Sequence, residues 1–136
     1  MERTLRKFTR FLILVISLLL LILIITACNS NKDAATSVIE SYISALSNKD
    51  TVQISNLSCT KWEQDAIVEV DSLTAVGSTV ENLACSEVGQ QDDEVFVTCT
   101  GYLALDYNGE AQQIDLSTRT YIAKQEDGEW RMCGYR

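Results

Sequence analysis

A chain of 136 residues, 46% of them hydrophobic, has room for one core and none for a second domain. Its formal charge of -8 is unevenly spread: residues 1–27 carry four basic side chains against Glu2, whereas residues 28–136 carry 7 basic and 18 acidic ones, a net of -11. So strong an acidic excess argues against nucleic acid, whose phosphates it would repel, and against a face lying on anionic lipid.

The first 27 residues read as targeting. "MERTLRKFTR" is a basic opening, and Phe11 to Ala27 is a 17-residue apolar run without a charge. That length sits between a secretory h-region and a membrane-spanning helix, so the boundary residues decide. Ile25-Thr26-Ala27-Cys28 resembles the bacterial lipobox, an aliphatic residue and two small ones ahead of the cysteine that is lipidated. The resemblance implies a lipid on the Cys28 thiol and cleavage just before it. The alternative is a single-pass protein with an uncleaved helix. Either way the bilayer is a partner through the N-terminus, and the basic flank keeps the remainder outside the cytoplasm at the cell membrane.

Cysteine arithmetic agrees. Of five cysteines, setting Cys28 aside leaves Cys59, Cys85, Cys99 and Cys133. Four in a small exported domain predict two disulfides. Gaps of 26, 14 and 34 residues, no CxxC and no histidine leave no metal-site pattern.

Residues 28–32 are expected to be a polar tether, and 33–136 the exported domain. Asp33 would cap a first helix whose Ala35, Val38, Ile39, Tyr42, Ile43 and Leu46 recur every three or four residues. "SNKD" ends it, Asp50 caps a short second helix through Leu57, and Thr60 to Glu63, "TKWE", has the form of a capping box for a third. Trp62, Ala66, Ile67 and Val70 give that helix its apolar side.

From about Ser78 the period changes to that of strands. Four are expected: Ser78 to Val88, Glu94 to Tyr107, Ala111 to Lys124 and Glu129 to Tyr135. Asn108-Gly109 is a two-residue hairpin signal, because both positions of a type I′ turn require positive φ. It places Leu103 opposite Ile114, Gly101 opposite Leu116, Val97 opposite Thr120 and Val95 opposite Ile122, an apolar face to pack on the helices. The other face carries Phe96, Thr98, Thr100, Tyr102 and Ala104 against Asp115, Ser117, Arg119, Tyr121 and Ala123. If Cys85 lies opposite Cys99 across "GQQDD", Leu83 falls opposite Gly101 on the same apolar face, and elimination then leaves Cys59 to pair with Cys133. The parity of Cys133 stays open, because a bulge in "QEDG" would flip it.

A helical front half followed by an antiparallel meander, with "DAATSVIESYISALSNKD" at one end and "YIAKQEDGEWRMCGY" at the other, resembles small bacterial lipoproteins of the nuclear transport factor 2-like (NTF2-like) superfamily. The expected fold is therefore α+β, with helices on a curved four-stranded antiparallel meander, NTF2-like or, as the competing reading, cystatin-like. The resemblance implies a cone-shaped pocket between helices and sheet. Tyr42, Asp106 and Tyr107 are the candidates to line it, with Asp115 beside them. An enzyme of this kind would set a buried carboxylate beside a tyrosine. Against it, Asp115 points outward in this register and Asp106 and Tyr107 flank a turn, so the expectation is a non-catalytic protein without cofactor that binds a ligand or a protein. Phe96, Tyr102 and Tyr121 are the candidate surface for a homodimer or protein partner. Asp92-Asp93-Glu94 reads as a solvated hairpin tip, and no phosphate loop or nucleophile–base motif is present.

Overall fold

The computed structural model describes residues 30–136, of which Lys32–Arg136 form one compact unit. The expected signal or anchor segment 1–27 and the lipidation site Cys28 lie outside the described residues. No helix among the described residues is long and apolar enough to cross a membrane.

Helix α1, Ser30–Asn48, begins three residues ahead of the expected Asp33 cap, so part of the expected tether is helical. Its apolar stripe is as the spacing predicts: Ala35, Val38, Ile39, Tyr42, Ile43 and Leu46 are all buried. It ends where Lys49 turns left-handed at φ 57°. There Lys49 N–H donates to the Leu46 carbonyl and Asp50 N–H to that of Ala45, at 3.1 and 3.0 Å, the paired hydrogen bonds of a Schellman ending. Asp50 then caps α2, Thr51–Leu57, by accepting from Gln53 N–H at 3.0 Å.

The expected capping box does not form. Helix α3, Glu63–Ser72, starts from Trp62 without a side-chain cap. Thr60 is drawn elsewhere: its N–H and hydroxyl donate to Glu126 Oε2 at 3.0 and 3.1 Å. A tertiary acceptor has displaced the local one. Glu63 and Asp65 still place negative charge on the first turn, where the helix dipole favours it.

The sheet has five strands: β1 (Gly77–Gln91), β2 (Glu94–Tyr107), β3 (Glu110–Asp115), β4 (Thr120–Glu126) and β5 (Glu129–Tyr135). All neighbours are antiparallel; the order is β1-β2-β4-β5, with β3 also on β2. The Asn108-Gly109 turn forms with φ 58° and 96°, and Leu103 faces Ile114 as predicted.

Beyond Asp115 the predicted register fails. A 3-10 helix, Leu116–Thr118, interrupts the single long strand expected there, and Asp115 stabilises it by accepting from Ser117 N–H and Oγ at 2.9 and 2.7 Å. When pairing resumes, Val97 faces Tyr121 and Val95 faces Ala123, one residue off the expected partners. Because side chains alternate with period two, a slip of one turns every side chain of β4 over. Tyr121 and Ala123 are buried, not outward as expected.

Three register shifts complete the sheet, one of them at Val88 of β1, between the Glu87 and Gly89 pairings. Asn82 and Leu83 together oppose Gly101, so Leu83 lacks the one-to-one pairing expected. A Cβ at Gly101 would stand 2.4 Å from the Glu81 carbonyl oxygen, and its φ is +103°, so only glycine fits. On β5 the shift falls at residues 133–134, between the Tyr135 and Met132 pairings, whereas "QEDG" makes a regular turn. That settles the open parity of Cys133.

Both disulfides form as predicted. Cys85 and Cys99 are directly opposite across β1 and β2, with Cα atoms 4.0 Å apart. Cys59 joins Cys133 at a Cα separation of 5.3 Å, tying the helical half to β5, beside a Cys59 N–H bond to the Met132 carbonyl at 2.9 Å. The long edge strand β1 is pinned to α1: Cys85 N–H donates to Glu40 Oε1 at 3.0 Å, Ser78 Oγ to the Ser47 carbonyl at 2.7 Å, and Lys49 Nζ to the Val76 carbonyl. Helices thus cover one sheet face, over Val95, Val97, Leu103, Tyr121, Ala123 and Met132.

Candidate functional site

A pocket of about 380 Å³ opens between α1, α3 and the sheet. Its apolar wall comes from Ile43 and Leu46 of α1, Leu73 beyond α3, Leu103 and Ile114 from the sheet, and Leu116 from the 3-10 helix. Its polar wall is Tyr42, Asp65, Glu69, Ser72, Arg119, Tyr121 and Tyr135.

The polar wall converges on Glu69. Tyr42 donates its hydroxyl to Glu69 Oε2 at 2.8 Å, while Arg119 Nη1 and the Tyr135 hydroxyl donate to Oε1 at 3.1 and 3.3 Å. Trp62 Nε1 in turn donates to the Tyr42 oxygen at 3.2 Å. Arg119 also stacks on Tyr135, its guanidinium carbon 4.1 Å from the ring centroid, and Trp62 and Tyr121 meet that ring edge-on at 5.4 and 6.0 Å. These contacts cross-link α1, α3 and β5 through one carboxylate.

Burial raises the Tyr42 hydroxyl well above the usual tyrosine range, and the negative charge of Glu69 adds to it. Tyr121 is pushed up to about 12, chiefly by burial, against the opposing pull of Arg119. Tyr135 is raised too, first by burial and then by Glu69. At neutral pH all three keep their protons, and Tyr42 and Tyr135 donate them to Glu69. A carboxylate offers about four acceptor positions, and three at Glu69 are taken by Tyr42, Arg119 and Tyr135. Glu69 therefore holds the site together, with about one acceptor position left open.

Among the described residues one further cluster has ligand-type atoms: the sulfurs of Cys59 and Cys133 and a Glu126 carboxylate oxygen lie within 4.8 Å of one another. Both sulfurs are consumed in the disulfide and Glu126 accepts from Thr60, so the cluster offers a metal little.

No protein-family model matches this sequence, and no curated protein does. Among solved structures, the chain is similar to the solution structure of a SEC-C motif containing protein from Rhodopseudomonas palustris, with TM-score 0.50 and 14% identity over 76% of this chain and 79% of that one. A chain named as an Rd1NTF2 variant follows at TM-score 0.43 and 11% identity, over 74% of this chain and 94% of that one. The first likeness is one of fold.

Of the three residues expected to line a pocket, the structure places only Tyr42 there. Asp106 is exposed and accepts from Gly109 N–H at 2.5 Å, a turn-former's role, and Tyr107 is exposed beside it. Asp115 serves the 3-10 helix. The expected partner surface does not assemble either: Tyr121 faces the core, Phe96 is covered by the Arg136 guanidinium at 4.1 Å, and Tyr102 alone of the three is exposed.

Glu69, Arg119 and Tyr135 were not among the expected residues. Glu69 had a signal, a charge four residues from Asp65 and seven from Trp62, on the apolar side of its helix next to Ala66 and Val70. Arg119 had none, because the slip that turns it inward is made by the 3-10 helix.

Proposed function

We propose that residues 33–136 are an NTF2-like cone that binds a small ligand, carried outside the cytoplasm at the cell membrane by a lipid on Cys28. The observation that carries the binding reading is the preformed pocket, of a size at the lower end of the range for small-molecule sites and with an apolar end and a convergent polar end. Three helices ahead of the sheet, enclosing that pocket, favour the NTF2-like over the cystatin-like reading. The engaged state of Glu69 favours binding over catalysis: Tyr42 beside a carboxylate is the pair an enzyme of this shape would need, but the carboxylate is already shared among three donors. The inward turn of Tyr121 favours the pocket over the outer sheet face as the place of contact. Two disulfides favour an oxidising, extracytoplasmic setting.

Ligand-observed NMR of the full chain in lipid nanodiscs, with a mixed set of small neutral, cationic and anionic compounds, tests the binding reading. Ser72→Trp, at an exposed position on the pocket rim, is the blocked control. Binding that the tryptophan abolishes is expected; no compound showing that pattern refutes it. For the anchor, labelling with a fatty-acid analogue is expected in the wild type and absent in Cys28→Ala. Equal labelling removes the lipid, and a mature mass including residues 1–27 would favour the uncleaved helix.

A further inference from the structure

We propose that the pocket takes a monovalent organic cation with a compact apolar body, its ammonium held at the mouth between Asp65 and Glu69. This rests on the binding reading above and names the ligand's chemistry. The charges on the pocket wall are Asp65, Glu69 and Arg119, so the wall is one positive charge short of neutral. Arg119 is spoken for, bonded to Glu69 and stacked on Tyr135. Asp65 is exposed and has no ion-pair partner among the described residues.

The two carboxylates lie four residues apart on α3, a spacing that sets Cβ atoms about 5–6 Å apart on one helix face. An ammonium can sit between them. That the site accepts positive charge is visible in the chain's own guanidinium, already held by the Glu69 carboxylate and an aromatic face. Leu103, Ile114 and Leu116 supply the apolar end that the body of the ligand would fill. An anionic ligand would bring the wall to a larger negative excess inside a domain whose residues 28–136 already sum to -11.

The test titrates the full chain in nanodiscs calorimetrically with three probes of matched shape: phenylbutylamine, phenylbutanol and phenylbutyrate. The amine is expected to bind about tenfold more tightly than the alcohol, with butyrate weakest, since a partly screened ion pair and ring contacts add to the same apolar burial. Raising the salt should narrow the gap. Asp65→Asn should bring the amine to within about threefold of the alcohol, the loss of one rim charge; Ser72→Trp should abolish both. An alcohol or butyrate that binds as well as the amine, or an amine affinity unmoved by Asp65→Asn, overturns the cation inference while the binding reading stands. No probe binding overturns it too, and the reading beneath is then judged by the mixed-compound NMR screen.

Discussion

Glu69→Ala removes the one acceptor shared by Tyr42, Arg119 and Tyr135. Tyr42 is 1% exposed, so without Glu69 its hydroxyl can reach water only through the pocket it lines. A buried donor stranded in this way costs about 1–3 kcal/mol. Arg119 and Tyr135 are only partly buried and can recover water, so their lost contacts add about 0.2–1 kcal/mol. The expected loss is about 1–4 kcal/mol, a large share of the roughly 5–15 kcal/mol typical of a domain. Tyr42→Phe in the same background removes the stranded hydroxyl, so the double variant should lose less than the sum of the singles, with a coupling of about 0.5–3 kcal/mol. Urea unfolding of the full chain measures it, followed by tryptophan fluorescence because Trp62 donates to Tyr42. The midpoint should fall with the slope m unchanged. A Glu69→Ala loss below about 0.5 kcal/mol, or additivity of the two changes, would refute the view of Glu69 as the hub that holds the helices to the sheet.

Three other outcomes follow from single features. Folding raises Tyr42, Tyr121 and Tyr135, so the folded chain holds their protons more tightly than the unfolded one. Stability should be flat below the ordinary tyrosine value of 10.0 and fall from there towards 12, and Tyr121→Phe should remove about 1.4 kcal/mol per pH unit of that slope; a urea midpoint constant across this range contradicts it. Gly101→Ala should destabilise by at least about 2 kcal/mol, because its Cβ would meet the carbonyl oxygens of Glu81 and Asn82 at 2.4 and 2.7 Å, whereas Gly109→Ala, with open space around it, should lose about 1 kcal/mol. Thermal melts of the pair read the order, and equal losses would show that the bulge relaxes freely. Breaking Cys59–Cys133 as a double serine variant should cost more than breaking Cys85–Cys99, about 4.5 against about 3 kcal/mol from loops spanning 74 and 14 residues; the reverse order in urea midpoints would show that native-state effects outweigh loop closure.

The parts of this fold legible in the sequence are those decided between near neighbours. The α1 stripe is a matter of 3.6-residue spacing, the Asp50 cap and the Asn108-Gly109 turn are matters of local backbone chemistry, and the Cys85–Cys99 register is that of the neighbouring hairpin closed at Asp92-Asp93. With four cysteines among the described residues, one pair placed identifies the other. The TKWE capping box was equally local and still failed, because Thr60 found the carboxylate of Glu126, 66 residues away, a better acceptor than its own helix.

The pocket belongs to the other class. A strand offers only two orientations, and the choice between them at β4 depends on three residues winding into a 3-10 helix that carries Leu116 into the core. Once that turn forms, Arg119 and Tyr121 face α1 and α3 and reach Glu69 and the core, while Asp106 and Tyr107 are left at a hairpin tip. The sequence alone determined the helices, the hairpin, both disulfides and the charge that distinguishes residues 1–27 from the rest, since each rests on spacing or counting. Which side chains share a cavity was decided by tertiary packing, because a slip of one residue in an alternating pattern exchanges inside for outside without changing the pattern itself.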